Sequence, residues 1–481
     1  MIKVLKEKYD RISLPVKASL WFVICSILQK GIALITVPMF TRLMTAEEYG
    51  FFSTYTSWYS LILVFTSLNL YYGVFNNAMI KYKNDRKCYI SSMQGLTITI
   101  TLICFVFYII NMKKMNYLLD MPTNLVFMLF IQLLFAPSFE FWLASNRFQY
   151  SYKKIVTITL CKSILNPILG IILVLNTENK AFARILSLVI IEIVFSGLIM
   201  LFQFLKGKTF FDKKYWKYAF LFNLPLLPHY LSGQILNQSD RIMISKYVNN
   251  AAVAKYSVAY SIGLLTNIIT NAINGSFTPW FYQKLKEEEY YNINKIVTLI
   301  TLIIAMVSII LMLFGPEIIF IMAPKEYFDA KYVIPPVSSS VLFIFLYNIF
   351  ANVEFYYEKR KFVLYGSIIS AALNVLLNSI FIPLYGYIGA AYTTLICYIL
   401  YCIMHAAFSK IICKQNKIPI TIFPWKVLLY ISLMVILLSI FIGFIYSYTI
   451  IRYIVIFIIL SFIVILFKRF IPFFRETGLL K

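Results

Sequence analysis

Charged side chains occur inside segments that are otherwise apolar enough to cross a membrane. Lys30 lies at the middle of residues 18–41, and Lys162 and Glu192 lie within later apolar segments. A charge in hydrocarbon costs about 2.5–3.5 kcal/mol on insertion scales, so such residues normally face a protein interior or a wet cavity. The residues in question can therefore form a structural ion pair, bind an anion, or relay protons or other cations.

The depths of these charges suggest which of them meet. At about 1.5 Å per residue, Lys30 and Glu192 lie roughly 18–20 Å from the same membrane surface, so an ion pair between them is one interpretation. Pairing would lower the cost of both charges. Lys162 lies at a depth of about 10 Å by the same rise, where snorkelling to the surface is an alternative to a binding role.

Further candidate residues lie at helix ends and in one proline-containing segment. Arg42 and Lys246 end their segments, where a cation is either an anchor that complements the helix dipole or part of a site. Asp240 and Arg241 are adjacent in NQSDRIMI, so they point about 100° apart on a helix and each needs its own partner. His229 follows Pro228 and either titrates near neutral pH or bonds to a neighbouring helix.

The elements that carry these residues are membrane helices. Hydrophobic residues make up 61% of the 481-residue chain and the mean hydropathy is +0.79, well above a soluble domain. The pattern predicts an all-α polytopic protein with fourteen spans: 18–41, 51–75, 88–111, 122–144, 155–176, 181–205, 219–245, 252–277, 292–314, 333–356, 362–383, 387–409, 425–447 and 450–467.

The net charge of +24 follows this topology and does not indicate nucleic-acid binding. With those near a span end assigned to that side, 31 of the 44 lysines and arginines lie on the side of the N-terminal tail and 11 lie opposite. The other two, Lys30 and Lys162, lie within spans. The positive-inside rule predicts that both termini are cytoplasmic and that the protein is a multi-pass protein of the bacterial cytoplasmic membrane. The basic loops would also contact anionic membrane lipids.

No segment predicts a soluble catalytic or nucleotide-binding domain. The longest outer connection, about Gly315 to Tyr332, is half apolar, and no GxxxxGK[ST] phosphate loop is present. The seven cysteines have neither metal-site spacing nor an outer-loop pairing. We therefore expect no cofactor, no metal, no disulfide and no catalytic residue.

A weak internal repeat indicates two halves. Sliding the chain by 204 residues aligns Arg42 with Lys246, whereas Lys30 aligns with Gln234. The offset pairs spans six apart, which predicts parallel six-helix halves with a substrate site between them. The predicted domains are 1–217, 218–410, and a pair of additional helices with a cytoplasmic tail at 411–481.

Three segments resemble one family. The first and most specific is KASLWFVICSILQKGIALITVPMFTRLMTAEEYGFFSTYTSW at 17–58, and the others are LPLLPHYLSGQILNQSDRIMI at 224–244 and NVLLNSIFIPLYGYIGAAYTT at 374–394. These segments resemble bacterial oligosaccharide flippases of the polysaccharide-synthesis type, within the multidrug/oligosaccharidyl-lipid/polysaccharide exporter superfamily. They bracket spans 1 to 12 and so cover most of the chain.

The resemblance implies a flippase that moves undecaprenyl-diphosphate-linked repeat units from the inner to the outer leaflet for capsule or O-antigen synthesis. It also implies two six-helix bundles around a cationic central cavity that works by alternating access. By motif position it assigns Lys30 and Arg42 to the first half and Asp240 and Arg241 to the second. Lys162 and Lys246 complete the candidate substrate site, and Glu192, Asp240 and His229 are candidates for charge pairing or for coupling to H⁺ or Na⁺.

Two other functions remain open at this stage. A polytopic polysaccharide polymerase or ligase would need catalytic residues in a large outer loop. A cation or drug exporter of the same superfamily would favour an acidic cavity, whereas spans 1 and 5 contribute lysines. Because only the first half carries mid-membrane positive charge, we expect a diphosphate to lie closer to spans 1, 5 and 6 than to spans 7 to 12.

Overall fold

The computed structural model describes residues 13–476, with the side chains of 360, 463 and 466–476 left out. Helices make up nearly all of this part, and it contains no strand. The chain divides into two compact units, Met1–Ala254 and Lys255–Lys481, and the division falls inside the helix Asn250–Gly263.

The helices of the first unit follow the apolar runs of the sequence. A π-helical turn at Ile193–Gly197 follows the helix Lys180–Glu192, and a 3₁₀ turn at Leu224–Leu226 precedes the helix Leu227–Tyr247. The helices are α1 Leu14–Leu43, α2 Ala46–Ser67, α3 Gly73–Lys81, α4 Arg86–Ile110, α5 Met112–Leu119, α6 Thr123–Phe148, α7 Tyr152–Leu175, α8 Lys180–Glu192, α9 Leu198–Gly207, α10 Lys213–Asn223, α11 Leu227–Tyr247 and the start of α12 Asn250–Gly263.

The second unit contains the remaining helices and one continuous hydrophobic core, to which most of these helices contribute. The helices are α13 Thr266–Lys286, α14 Tyr290–Leu313, α15 Gly315–Met322, α16 Ile334–Tyr356, α17 Arg360–Gln415, α18 Trp425–Ile445 and α19 Thr449–Glu476. The predicted outer connection forms α15 and a 3₁₀ segment at Lys325–Val333.

Within residues 13–476, nine helices are long and apolar enough to cross a membrane, or ten if the bent pair α12 and α13 is one span. The chain is therefore a multi-pass membrane protein. The number fourteen stays a prediction, although α17 contains two predicted spans. Its 56 residues would be about 84 Å long at 1.5 Å per residue, far more than a bilayer core. Gly386, at φ 62°, breaks α17 between those two spans.

Local signals set the helix boundaries where hydropathy misplaces them. The second span was expected at 51–75, but α2 is Ala46–Ser67. Thr45 and Glu48 form a capping box that starts α2 five residues earlier. Leu68 and Asn69 then adopt left-handed conformations that end it. In the segment expected at 219–245, the Pro225 region interrupts the helix with the 3₁₀ turn.

Candidate functional site

An ion pair lies between two helices of the first unit. The Nζ atom of Lys162 on α7 lies 2.9 Å from Oε1 of Glu192 at the end of α8. The two side chains are only 21% and 10% exposed, and the ammonium also lies 4.1 Å from the centre of the Phe139 ring. Both charges are thereby compensated within the unit, which offsets part of the cost of placing them in an apolar environment.

The backbone around Glu192 departs from a regular α-helix. The π-helical turn Ile193–Gly197 begins at the next residue, and such turns occur often at functional sites. It places the hydroxyl of Ser196, one turn after Glu192, where it donates a hydrogen bond to the Glu192 carboxylate. Glu140 on α6 lies close enough to interact electrostatically with both Lys162 and Glu192. The cluster thus contains two carboxylates and Lys162, and Arg147 also lies close enough to Glu140 to interact electrostatically.

Glu192 pairs with Lys162 and not with Lys30, which corrects the pairing expected from depth. Gln29 of α1 donates a hydrogen bond to Ser163 of α7 at 3.2 Å, so Gln29 marks the side of α1 that contacts α7. Lys30 is rotated about 100° from Gln29 and is exposed. Lys162 lies ten residues, about 15 Å, from the start of α7 at Tyr152, and its depth in the membrane stays a prediction.

Lys30 forms neither an ion pair nor a side-chain hydrogen bond with any residue in the described part of the chain. It lies midway along α1, a helix of 30 residues that is largely exposed. An ammonium at that position must face water or a ligand, because hydrocarbon cannot replace its hydration. Lys30 is therefore the candidate residue that is most available to an anion.

Three further candidate cations lie on α1 and α11. Arg42 donates a hydrogen bond to the Pro38 carbonyl of its own helix at 3.0 Å, and Lys246 is exposed in the last turn of α11. Arg241 is half-buried and donates to the Asn237 carbonyl at 2.9 Å. Arg42 and Lys246 lie in the last turns of their helices, where a cation complements the helix dipole, whereas Arg241 lies six residues before the end of α11.

The packing of α11 against α2 is polar and fixes the surroundings of Arg241. The Ser57 hydroxyl donates to Gln238 Oε1 at 3.0 Å, and Arg241 donates to the same oxygen at 3.4 Å. Asp240 is completely buried in this region, whereas His229 is half-buried and packs beside the Tyr230 ring. The structure therefore places Asp240 in packed protein, away from open solvent.

Arg184 is a buried cation that sequence reasoning missed. It lies inside the predicted span 181–205 but was counted with the charges of the outer side. In the structure it lies in the second turn of α8 and is only 8% exposed. Its Nη1 donates to Asn166 at 2.9 Å and to Ser187 at 2.8 Å, and its guanidinium stacks near the Phe40 and Phe52 rings. The available signal was that α8 has a cap at Asn179, which starts the helix before Arg184.

A second buried pair lies in the other unit. Glu354 on α16 and His405 on α17 are both fully buried, and Oε1 of Glu354 lies 2.6 Å from Nδ1 of His405. Sequence reasoning found no role for His405 because the two residues are 51 positions apart. Only the packing of α16 against α17 brings them together.

A match to a family model shows which protein family this chain belongs to. The model described as polysaccharide biosynthesis protein matches residues 16–283, more than half of the chain. The chain belongs to this family. The matched residues include Lys30, the Lys162–Glu192 pair and all of α11.

Curated relatives agree with membrane localisation. A protein of the Lsg locus of Haemophilus influenzae is 27% identical over 198 residues, which are 39% of this chain and 49% of that protein. The chain thus spans about half the length of that relative. An uncharacterized membrane protein of Methanocaldococcus jannaschii is 22% identical over 80% of this chain and 81% of its own length.

Solved structures share the fold. The lipid II flippase MurJ in its inward closed conformation matches with a TM-score of 0.67 at 18% identity, over 94% of this chain and 100% of that chain. An inward-facing multidrug resistance MATE transporter of the MOP superfamily matches with a TM-score of 0.58 at 16% identity, over 83% and 99%. The chain therefore shares its fold with a lipid II flippase and a multidrug transporter, and its family is that of the polysaccharide biosynthesis proteins.

Proposed function

We propose that this protein flips undecaprenyl-diphosphate-linked oligosaccharide repeat units from the inner to the outer leaflet of the bacterial cytoplasmic membrane, for capsule or O-antigen synthesis. The proposed mechanism is alternating access through a cationic central cavity, with both termini cytoplasmic. Membership of the polysaccharide biosynthesis family and the fold shared with a lipid II flippase support this proposal.

Lys30 carries the proposal. It is an exposed lysine halfway along an apolar helix, and it has no bonding partner among the described residues. A lipid diphosphate carries charges of the opposite sign, and these also cannot enter hydrocarbon without compensation. Contact between the ammonium and a phosphate oxygen would satisfy both groups through a charge-assisted hydrogen bond.

Lys162 has a different part in this proposal, because Glu192 already holds it. A phosphate could take over the lysine only if Glu192 lost its charge or moved away. The carboxylates of Glu192 and Glu140 would thereby limit how tightly the site holds the diphosphate, and release requires limited affinity. Uptake of H⁺ or Na⁺ by Glu192 or Asp240 is a means of coupling. The proposed substrate path also includes Arg42, Arg241 and Lys246. The proposed coupling groups also include His229.

The test removes the charge of Lys30 with a substitution that is compatible with the helix. In a strain that lacks its own flippase for the same repeat unit, Lys30→Gln is expected to abolish surface polysaccharide, whereas Lys30→Arg retains part of it. Lys113→Gln, which removes an exposed lysine from the short helix α5, serves as the matched control and should leave polysaccharide unchanged. Membrane levels are measured by immunoblot. Wild-type polysaccharide in Lys30→Gln cells would remove Lys30 from the mechanism.

A direct assay follows the lipid. Purified protein in vesicles should move a fluorescent undecaprenyl-diphosphate oligosaccharide between leaflets, as measured by access of a membrane-impermeant quencher. Loss of flipping in Lys30→Gln but not in Lys113→Gln is expected. Equal flipping rates in protein-free vesicles and in vesicles with the wild-type protein would contradict the proposed function.

One observation favours a second function, the export of cationic drugs. The Lys162 cluster contains two carboxylates, those of Glu140 and Glu192, and carboxylates can bind a cation. If the protein exports cations, deletion should sensitise cells to cationic dyes and leave surface polysaccharide intact. A polymerase or ligase would instead change polymer length in a reconstituted reaction.

A further inference from the structure

Glu354 and His405 form a closed polar pair that the substrate path described above does not use. Both side chains have 0% exposed area, and the Nδ1–Oε1 distance is 2.6 Å. Within the described part of the chain, no group bonds to Oε2 of Glu354 or to Nε2 of His405. Two titratable groups are thus isolated together inside the hydrophobic core of the second unit.

The surroundings of the pair are aromatic and uncharged. The ring centres of Tyr401 and Tyr347 lie 4.6 and 5.6 Å from that of His405, and Phe408 lies at 6.1 Å. No lysine or arginine in the described part of the chain forms an ion pair with Glu354. The lysines of α17, namely Lys361, Lys410 and Lys414, are exposed. Other titratable side chains in the same core are tyrosines and cysteines, which include Tyr282 of α13, Tyr290 of α14, Tyr356 of α16, Tyr398, Cys402 and Cys413 of α17, and Tyr446 directly after α18.

The charge of the pair depends on one proton. With a proton shared between the carboxyl group and the imidazole, the pair is neutral overall, as either Glu⁻ with HisH⁺ or GluH with His. Without that proton, a carboxylate remains beside a neutral imidazole, and an uncompensated charge is buried. Burying such a charge is expensive, so a closed site of this kind retains its proton.

The fold makes release of that proton depend on movement of α16 and α17. Gly366, in the first part of α17, covers the pair: a Cβ atom at this glycine would lie 3.1 Å from Nε2 of His405. Water can reach the imidazole only if these parts separate. Gly386, at φ 62°, interrupts α17 between Gly366 and His405 and provides a point at which the two parts can move independently.

We propose that Glu354 and His405 form a proton-binding site that loads and unloads one proton as the transporter changes conformation, so that a proton gradient drives movement of the substrate. The coupling part of this inference rests on the proposed flippase function. The site itself requires only the buried pair.

The first experiment tests whether the pair binds a proton, and it does not require transport. The chain has two histidines, so His229→Asn leaves His405 as the single histidine. In full-length, ¹⁵N-histidine-labelled protein in micelles, the His405 nitrogen signals should change with pH as the pair loses its proton. Adding Glu354→Gln should change that pH dependence. A His405 signal that does not respond between pH 5 and 10, or that responds identically with Gln at 354, would overturn the proposal.

The second experiment examines coupling in vesicles, with and without a pH gradient. Glu354→Gln and His405→Gln should lose the acceleration by the gradient while retaining the gradient-free flipping rate. Thr301→Val is the matched control, because Thr301 is a fully buried polar residue of the same unit that cannot carry a proton. Acceleration of both variants equal to that of the wild type would overturn the proposal, as would acceleration of the wild type by a Na⁺ gradient alone.

The two experiments separate the two hypotheses. If wild-type protein flips no lipid, the proposed function fails, while the nitrogen signals of His405 still decide whether the pair binds a proton. If the protein flips lipid but ignores the pH gradient, the coupling inference alone fails.

Discussion

The Lys162–Glu192 pair allows the energetics of the first unit to be tested by a double-mutant cycle. The single changes are Lys162→Met and Glu192→Gln, and the double variant contains both. Each single change leaves one charge without its partner in a site where the side chains are 21% and 10% exposed. The double change leaves two neutral side chains of similar length.

The expected magnitude follows from the burial of the pair. Removing one partner of a buried ion pair costs about 3–5 kcal/mol, because the remaining charge is uncompensated, whereas replacing both is often nearly neutral. Each single variant should therefore lose about 3–5 kcal/mol of unfolding free energy, and the double variant should lose less than either. The Ser196 hydroxyl can still bond to a glutamine at 192, which limits the loss in that variant.

The assay is unfolding by denaturing detergent in mixed micelles, monitored by far-ultraviolet circular dichroism. Lys284 and Glu289 provide a surface comparison, since their ion pair of 2.9 Å involves a carboxylate side chain that is 40% exposed. The same cycle there should show little coupling. If the losses of Lys162→Met and Glu192→Gln simply add in the double variant, the pair contributes nothing and the reasoning is refuted.

Three further variants test other parts of the structure. Gly50→Ala should prevent normal packing, because a Cβ atom there would lie 1.6 Å from the Asn250 carbonyl oxygen. The yield of folded protein is measured by size-exclusion chromatography, and a yield equal to that of the wild type would contradict this prediction. Arg184→Met should lower the unfolding free energy by about 1.5–3 kcal/mol for each charged hydrogen bond that is lost. The measurement is the same unfolding in denaturing detergent, and an unchanged unfolding free energy would show that these hydrogen bonds are dispensable. Burial alone would raise the pKa of the Glu317 carboxyl, but hydrogen bonds from Arg452 hold that pKa below its ordinary value. The pair should therefore stabilise the fold above about pH 4 and lose that effect as pH falls further, and Glu317→Gln should remove this pH dependence from thermal unfolding curves.

Much of the helical pattern could be predicted from the sequence, because long apolar runs have one stable conformation in a membrane. The spans expected at 88–111, 333–356 and 425–447 agree with α4, α16 and α18 to within two residues. The prediction was wrong where a local signal outweighed hydropathy. The capping box of Thr45 moved α2 towards the N-terminus, and the Pro225 region divided the seventh predicted span.

The candidate site was predictable in composition but not in pairing. The sequence alone determined that Lys30, Lys162 and Glu192 lie inside apolar helices and need partners or water. Which lysine meets Glu192 depends on how α1, α7 and α8 are rotated, and one residue along a helix changes the direction of a side chain by about 100°. Depth estimates carry no information about this rotation.

The amino-acid sequence by itself determined that this is a polytopic membrane protein of a polysaccharide-synthesis type, with an energetically costly lysine in its first helix. Only the tertiary structure decided that Lys162 is compensated while Lys30 is not, that Arg184 is buried, and that Glu354 meets His405. The reason is physical: hydropathy is a property of each segment, whereas the pairing of charges depends on side chains from different helices that only packing brings within hydrogen-bonding distance.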